Sequence, residues 1–469
     1  MPRPRSILAP QPRTPACPPE VPNAAPNSTA GDYQRPPRLG APGPQRLVQN
    51  AFPSDDLGVS RRLYSAEMGD VWITGIGLLT ALGPDRETTW RRLTAGETGI
   101  RPITLFDTTG FRTTLAAQID VAGLPDPQPG LLPKHSTRAS HFALLAAREA
   151  LDDAGLQAGG ELPWGLVFGG GTAGLFEAED FVARRLRRGP RARGLGAFLE
   201  VPQDAPADRV AAAFCLIGPR LTVTTACSSS TIAVGRAAEM VREGEVDVAL
   251  AGGSDALCRL TFAGFNSLRA VDSEPCKPFD RRRKGLSLGE GAAVLVLERA
   301  DRARARGARA YAAVRGYGVT NDAFHMTQPE PTGAAWARTV RAALADGGVS
   351  PEAIDYINAH GTATEQNDPA ECAAYARVFG ARLAQMPVST VKGALGHCLC
   401  GAGGIEAAIT ALAISRQVAP PTVGFAEADP ACPIDPVPAR GREVRIRTAL
   451  SCSFAFGGNS AAIALEAAR

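Results

Sequence analysis

From Val71 onward, short runs of β-branched and aliphatic residues alternate with alanine-rich segments whose apolar positions recur every three or four residues. Parallel strands crossed by helices produce that alternation, so the body reads as α/β. The pattern also repeats within the chain. The helical segment 141–155 resembles 335–348, and each is soon followed by an apolar strand, 165–169 in one case and 354–358 in the other. The strand end Gly289-Glu-Gly-Ala-Ala-Val-Leu-Val-Leu-Glu298 is echoed by Gly458-Asn-Ser-Ala-Ala-Ile-Ala-Leu-Glu466. Two related halves are expected, 68–318 and 319–469, packed as one unit. Such a duplication brings two sets of strand-end loops together, and open α/β sheets form their sites at those ends.

Residues 1–67 have no such periodicity and hold 14 of the 38 prolines, which predicts a disordered proline-rich extension. Glu20, Asp32, Asp55 and Asp56 argue against a transit peptide. Met68 stands directly before the first strand-like run, so a start there is a further expectation. Beyond the extension there are 42 residues of each charge sign, and a general affinity for nucleic acid or an anionic membrane surface is not supported. No run of eighteen apolar residues occurs and the N-terminus lacks a signal-peptide pattern. With no membrane span and ten cysteines scattered without a disulfide framework, a cytoplasmic, reducing location is expected. Cys398 and Cys400 are one residue apart, a poor zinc spacing, and no metal site is expected.

The sharpest segment is Leu221-Thr-Val-Thr-Thr-Ala-Cys227-Ser-Ser-Ser-Thr-Ile-Ala-Val-Gly-Arg-Ala-Ala-Glu-Met240, an apolar strand that breaks into a helix. Cys227 would sit at the turn, where free amides and the helix dipole favour thiolate and can face a developing oxyanion. A buried structural cysteine is the alternative. His360 follows the strand 354–358 and opens a glycine-and-threonine loop; His397 closes Val388-Ser-Thr-Val-Lys392-Gly-Ala-Leu-Gly-His397. A thiol with a histidine admits a cysteine protease. Two histidines and a lysine beside one thiol suggest instead the stabilisation of negative charge on a carbonyl oxygen. Ser453-Phe-Ala-Phe-Gly-Gly-Asn-Ser460 predicts a tight turn with positive φ at Gly457 and Gly458.

Together these segments resemble the β-ketoacyl-acyl carrier protein synthases, the elongating condensing enzymes of the thiolase-like fold, over about Val71 to Leu465. The resemblance implies a five-layered αβαβα fold of two duplicated halves and a homodimer, or a heterodimer with a related ketosynthase-like subunit. It makes Cys227 the nucleophile, and His360 and His397 the neutral pair that donate through Nε2 to the malonyl thioester. Lys392 becomes their support and Glu406 its acidic partner. Thr362 and Thr364 would grip the phosphopantetheine arm, the amides of Cys227 and Phe456 would form the oxyanion hole, and Phe456 would gate the acyl pocket. The implied reaction is decarboxylative condensation on carrier thioesters, in fatty acid or polyketide and polyene synthesis. Its substrates ride on the 4'-phosphopantetheine of an acyl carrier protein, and no bound cofactor is required. The chain departs from the pattern at Ala455, where glycine is usual, and at Asn459-Ser460.

Arg281-Arg-Arg-Lys284, with Arg259, Arg269 and Lys277 nearby in sequence, forms a local basic cluster expected to dock an acidic carrier. Three rivals are distinguishable. A thiolase would need a second catalytic cysteine near the last glycine turn, where Cys452 lies close by. An initiating synthase would replace one histidine by asparagine, and a non-catalytic chain-length-factor-like subunit would replace the nucleophile. The presence of Cys227, His360, His397 and Lys392 favours the elongating enzyme.

Overall fold

Eleven strands, most of them the apolar runs, hydrogen-bond into one sheet. In chain order they are β1 (Val71–Thr80), β2 (Gly165–Gly170), β3 (Arg220–Val223), β4 (Val248–Asp255), β5 (Gly291–Arg299), β6 (Ala312–Asn321), β7 (Tyr356–Asn358), β8 (Pro387–Ser389), β9 (Asp435–Pro436), β10 (Thr448–Phe454) and β11 (Asn459–Glu466). This computed structural model describes residues 70–125, 136–159, 162–189 and 194–469; the proline-rich segment 1–67 lies outside them.

The spatial order is β9-β8-β7-β10-β11-β6-β1-β5-β4-β2-β3, so the sheet divides into two blocks of contiguous chain. Within the first block β2 is parallel to β3 and β4, while the β4–β5 and β5–β1 pairs are antiparallel. The second block repeats this: β7 is parallel to β8 and β10, while β10–β11 and β11–β6 are antiparallel. The blocks join through a short antiparallel pairing of Val71–Ile73 with Ala312–Val314. β6 runs across residue 318, where the sequence suggested the join, and its place in the order groups it with the second block.

Side-chain alternation along the strands separates the layers. In β5, Ala293, Leu295 and Leu297 share a core with the helices α2 (Ser229–Arg242) and α5 (Ala402–Arg416). The intervening Val294 and Val296 face outward onto α1 (Arg138–Ala154). In β11, Ile463 and Leu465 join the central core, while Ala462 and Ala464 pack with α3 (Ala334–Asp346) and α4 (Asn367–Phe379). The architecture is therefore the thiolase-like five layers, with α2 and α5 sandwiched between the two blocks. Every residue of α5 from Ala402 to Ile414 is buried, including Glu406, whose charge is met by Lys392. Among the described residues this stretch, Leu399–Arg416, is the one long and apolar enough to cross a membrane, and 89% of it is buried.

The outer helices sit on their strands by the same device in both blocks. A Cβ on Gly77 would lie 1.8 Å from the carbonyl oxygen of Ala146 in α1, and one on Gly318 would lie 2.6 Å from that of Thr339 in α3. Only glycine admits so close an approach.

Candidate active site

β3 ends at Val223 and α2 begins at Ser229, which leaves Cys227 on the turn between them. Ala226 takes φ +52° there, a conformation that costs a non-glycine residue about 1–2 kcal/mol. Local hydrogen bonds hold it: Ser229 Oγ donates to Ala226 O at 2.6 Å and accepts from Thr225 N–H at 2.9 Å. The Cys227 side chain is buried, and burial pushes its thiol up to about 11, although Lys392 and the N–H groups of Phe456 and Cys227 itself pull the other way. The resting thiolate expected from the helix terminus is thus corrected. One helix end does not repay the desolvation of a buried anion, and the Cys227 side chain rests as a thiol.

His360 follows β7, and His397 follows the single helical turn Lys392–Leu395. Both rings are buried, 5.4 Å apart between centroids and inclined at 86°. The Cys227 sulfur and one nitrogen from each ring all lie within 4.8 Å of one another. Leu399 N–H donates to His397 Nδ1 at 3.1 Å, and Lys392 Nζ lies 3.2 Å from His360 Nδ1. With both Nδ1 atoms accepting, each ring carries its hydrogen on Nε2. His397 Nε2 is buried without a hydrogen-bond partner among the described residues, a donor left for a substrate oxygen. Burial, reinforced by the Lys392 charge, holds both imidazoles well below their ordinary range and hence neutral. A thiol and two imidazoles are soft-metal ligands, but a metal needs the Nε2 lone pairs that these tautomers occupy with hydrogen, so the residues do not fit a resident metal.

Lys392 and Glu406 form an ion pair in which each is 1% exposed. Lys392 also donates to the His360 carbonyl at 2.5 Å, which together with His360 Nδ1 occupies all three ammonium hydrogens. Burial pushes the Glu406 carboxyl up, while Lys392 and the Ser453 hydroxyl draw it back. The His360 loop is fastened by two carboxylates of α4 that the sequence reading missed. Glu371 accepts from His360 N–H at 2.7 Å, Gly361 N–H at 2.8 Å and the Tyr375 hydroxyl at 2.7 Å; burial raises its carboxyl to about 7. Asp368 accepts from Ala363 N–H at 3.1 Å and Phe279 N–H at 2.7 Å. Their signal was the need of a buried loop's amides for acceptors. His397 is pinned through Ser287 O and Gly289 N–H, at 2.7 and 3.0 Å.

A cavity of about 390 Å³ reaches Cys227, His360 and His397, with Thr362, Thr364 and Phe456 in its wall. The two threonine hydroxyls are 3.0 Å apart. The Phe456 ring stacks on Phe265 at 5.7 Å, and Gly457 and Gly458 take φ +78° and +77° as expected. Ala455 adopts φ −104° and ψ 155°, ordinary for alanine, so its methyl group brings no backbone strain in this state. Cys452, the residue a thiolase reading would need, is buried in the outer core of the second block, facing away from the site.

The basic cluster divides. Arg282 is held by Asp280, Arg283 by Asp429 and Lys277 by Glu274, so much of that charge is internally compensated. Arg269 and Lys284, joined by Arg112, are exposed on the cavity rim and lie outside every ion pair of the described residues. Arg259 is exposed, with its guanidinium over the Phe106 ring.

A buried thiol at the start of a central helix, faced by two neutral imidazoles from the other block, defines a condensing acyltransferase of the thiolase-like class. The chain belongs to the β-ketoacyl synthase family: the N-terminal domain of that family matches residues 68–303 and the C-terminal domain residues 311–426. It is 36% identical to 3-oxoacyl-[acyl-carrier-protein] synthase 2 of Coxiella burnetii, over 84% of this chain and 98% of that one. It is 39% identical to the ketoacyl synthase alpha subunit of the tetracenomycin polyketide synthase of Streptomyces glaucescens, over 84% and 96%. Among solved structures, the ishigamide ketosynthase/chain length factor superposes with a TM-score of 0.80 at 37% identity, covering 86% of this chain and 100% of that one.

Proposed function

We propose that the chain is a β-ketoacyl-[acyl-carrier-protein] synthase that condenses a malonyl-carrier thioester with an acyl group held on Cys227. The observation that carries this reading is the meeting of one thiol and two Nε2–H imidazoles within 4.8 Å. The Cys227 sulfur attacks the carbonyl of an acyl thioester; the C–S bond to the pantetheine breaks and the thiol proton leaves with the pantetheine sulfur. In the second half-reaction the malonyl thioester oxygen accepts hydrogen bonds from both imidazoles. The bond to the carboxylate breaks, carbon dioxide departs, and the electron pair forms an enolate that neutral donors stabilise without quenching it. The enolate carbon attacks the Cys227 thioester, and the tetrahedral oxyanion is met by the N–H groups of Cys227 and Phe456. Its collapse releases the sulfur, which regains a proton, and a β-ketoacyl-carrier.

Thr362 and Thr364 are assigned to the phosphopantetheine arm, Phe456 to the acyl gate, and Lys392 with Glu406 to the support of His360. The partner is an acidic acyl carrier protein that meets Arg269, Lys284 and Arg112 at the rim. The join between the halves is placed in the residues between β5 and β6. The edge strand β3, with Leu221 45% exposed, supports pairing with a second copy or with a related ketosynthase-like subunit. The buried cysteines of the described residues are free thiols, which supports a reducing cytoplasmic location. Mass spectrometry after incubation with an acyl-carrier thioester tests the reading. An acyl adduct on Cys227 that Cys227→Ala lacks supports it. No adduct on the intact protein favours the chain-length-factor-like reading, to which similarity to a ketosynthase/chain length factor structure gives a footing.

A further inference from the structure

We infer that Thr231 and Ser453 are positioning residues that tie the helix carrying Cys227 to Glu406, and through it to Lys392 and His360. The inference rests on the function proposed above. Thr231 lies on α2, four residues after Cys227; Ser453 lies on β10 and Glu406 on α5. Ser453 Oγ donates to Glu406 Oε2 at 3.3 Å and lies 2.7 Å from Thr231 Oγ1. Glu406 Oε1 is already taken by Lys392. A carboxylate only accepts, so Ser453 uses its hydrogen on Glu406 and receives that of Thr231. The result is a directed chain, Thr231 to Ser453 to Glu406, met from the other side by Lys392, which also reaches His360 Nδ1.

Every member is buried, with exposure of 1% or less, so water does not replace a lost donor. The approach of the two central helices is built for this contact, because a Cβ on Gly403 of α5 would fall 1.9 Å from Thr231 Oγ1. Neither Thr231 nor Ser453 lines the cavity; both act through Glu406. The Ser453 hydrogen bond favours the ionised carboxylate against the burial that raises it, and so favours Lys392 at His360 Nδ1 with the ring hydrogen on Nε2. Besides Lys392, the ionisable groups close enough to feel the Glu406 charge are Cys227, Tyr356, Cys398 and Cys452, and burial raises all four, so they stay protonated near neutrality. Glu371, raised to about 7 by burial, hydrogen-bonds the His360 loop and Tyr375 and touches neither Thr231 nor Ser453.

The test is the pH profile of carbon dioxide release from malonyl-carrier thioester by the full chain, its Ser453→Ala and Thr231→Val variants and the double variant. Loss of a donor makes the carboxyl easier to protonate, so the acid limb moves up, by about one pH unit for Ser453→Ala and about half a unit for Thr231→Val. The double variant shifts no further than Ser453→Ala, because both substitutions cut one chain. Acyl loading of Cys227 at pH 8 stays within about twofold of wild type, because neither substituted side chain lines the cavity. An unmoved acid limb, or shifts that add in the double variant, overturns the inference. If Ser453→Ala does not fold, Thr231→Val, which preserves side-chain shape, decides alone. A wild-type protein that neither loads Cys227 nor releases carbon dioxide refutes the proposed function itself; active wild type with unmoved variants refutes only this inference.

Discussion

The two blocks of the sheet share the order of five strands, to which the second adds β9 at its edge, and one way of seating an outer helix, yet their strand ends carry complementary chemistry. β3 leads to Cys227, whereas β8, which holds the equivalent place in the other block, leads to Lys392 and His397. β7 leads to His360; its counterpart β2 leads to Gly171 and Thr172, and Thr172 is bound through its N–H and hydroxyl to Asp255. The scaffold supplies positions, and residue identity at those positions assigns the role. Because the proposed nucleophile and the proposed enolate donors come from different copies of one unit, each half-reaction is expected to be separately disabled.

That separation gives the largest expected effect. Cys227→Ala removes acyl loading and condensation by about four or more orders of magnitude but leaves release of carbon dioxide from malonyl-carrier thioester. His397→Ala does the reverse, with mass spectrometry and a carbon dioxide assay reading the two arms. A Cys227→Ala protein that also stops decarboxylating breaks the comparison. Next, Lys392→Met strands the buried Glu406 carboxylate and lowers stability by about 3–5 kcal/mol in urea denaturation, part of which returns when Glu406→Gln is added. The shared glycine contact gives a smaller effect: Gly77→Ala and Gly318→Ala each cost about 1–3 kcal/mol, with Gly77→Ala the more severe because its backbone neighbour is nearer. Equal insensitivity at both sites would deny that the contact is tight.

Protonation separates the blocks more finely. Burial lowers His360 and His397, so their charged forms are reached only below the ordinary histidine range, and neither ring gives an NMR titration step as the pH falls from 8 to 6. Cys227 is raised to about 11, so its alkylation by iodoacetamide climbs about tenfold per pH unit between pH 8 and 10. A thiol already fully reactive at pH 7 contradicts its enclosure. The smallest effect belongs to the rim: Lys284→Glu and Arg269→Glu raise the KM for carrier-bound substrate about three- to tenfold at low salt, with less change at high salt. Arg282→Glu, at a side chain already held by Asp280, has less effect on the KM.

Much of this was legible because the sequence carries period and order. The apolar runs announced the strands, the echo of residues 289–298 in 458–466 announced the duplication, and Cys227, His360, Lys392 and His397 each stood at a strand end. The join expected at residue 318 falls within β6, which begins as a buried strand and ends exposed, and so carries no uniform pattern. The Gly316-Tyr-Gly318 partner of Gly75-Ile-Gly77 passed unnoticed because its flanking residues differ. Thiol protonation was misread because helix-end electrostatics is local in sequence, whereas desolvation depends on everything packed around the sulfur. Glu371 and Asp368 had only the generic signal that a buried loop's amides need acceptors, and Arg112 had none, since the rim it joins is assembled only by the folded chain.

The short antiparallel seam between β1 and β6 is too small to hold the blocks together by itself; the adhesion comes from α2 and α5, each donated by one block into a common middle layer. A polypeptide cut between β5 and β6 would therefore yield two fragments that each bare an oily helix. They would be expected to aggregate when made separately and to reassemble when made together, as the two pieces of a dovetail do.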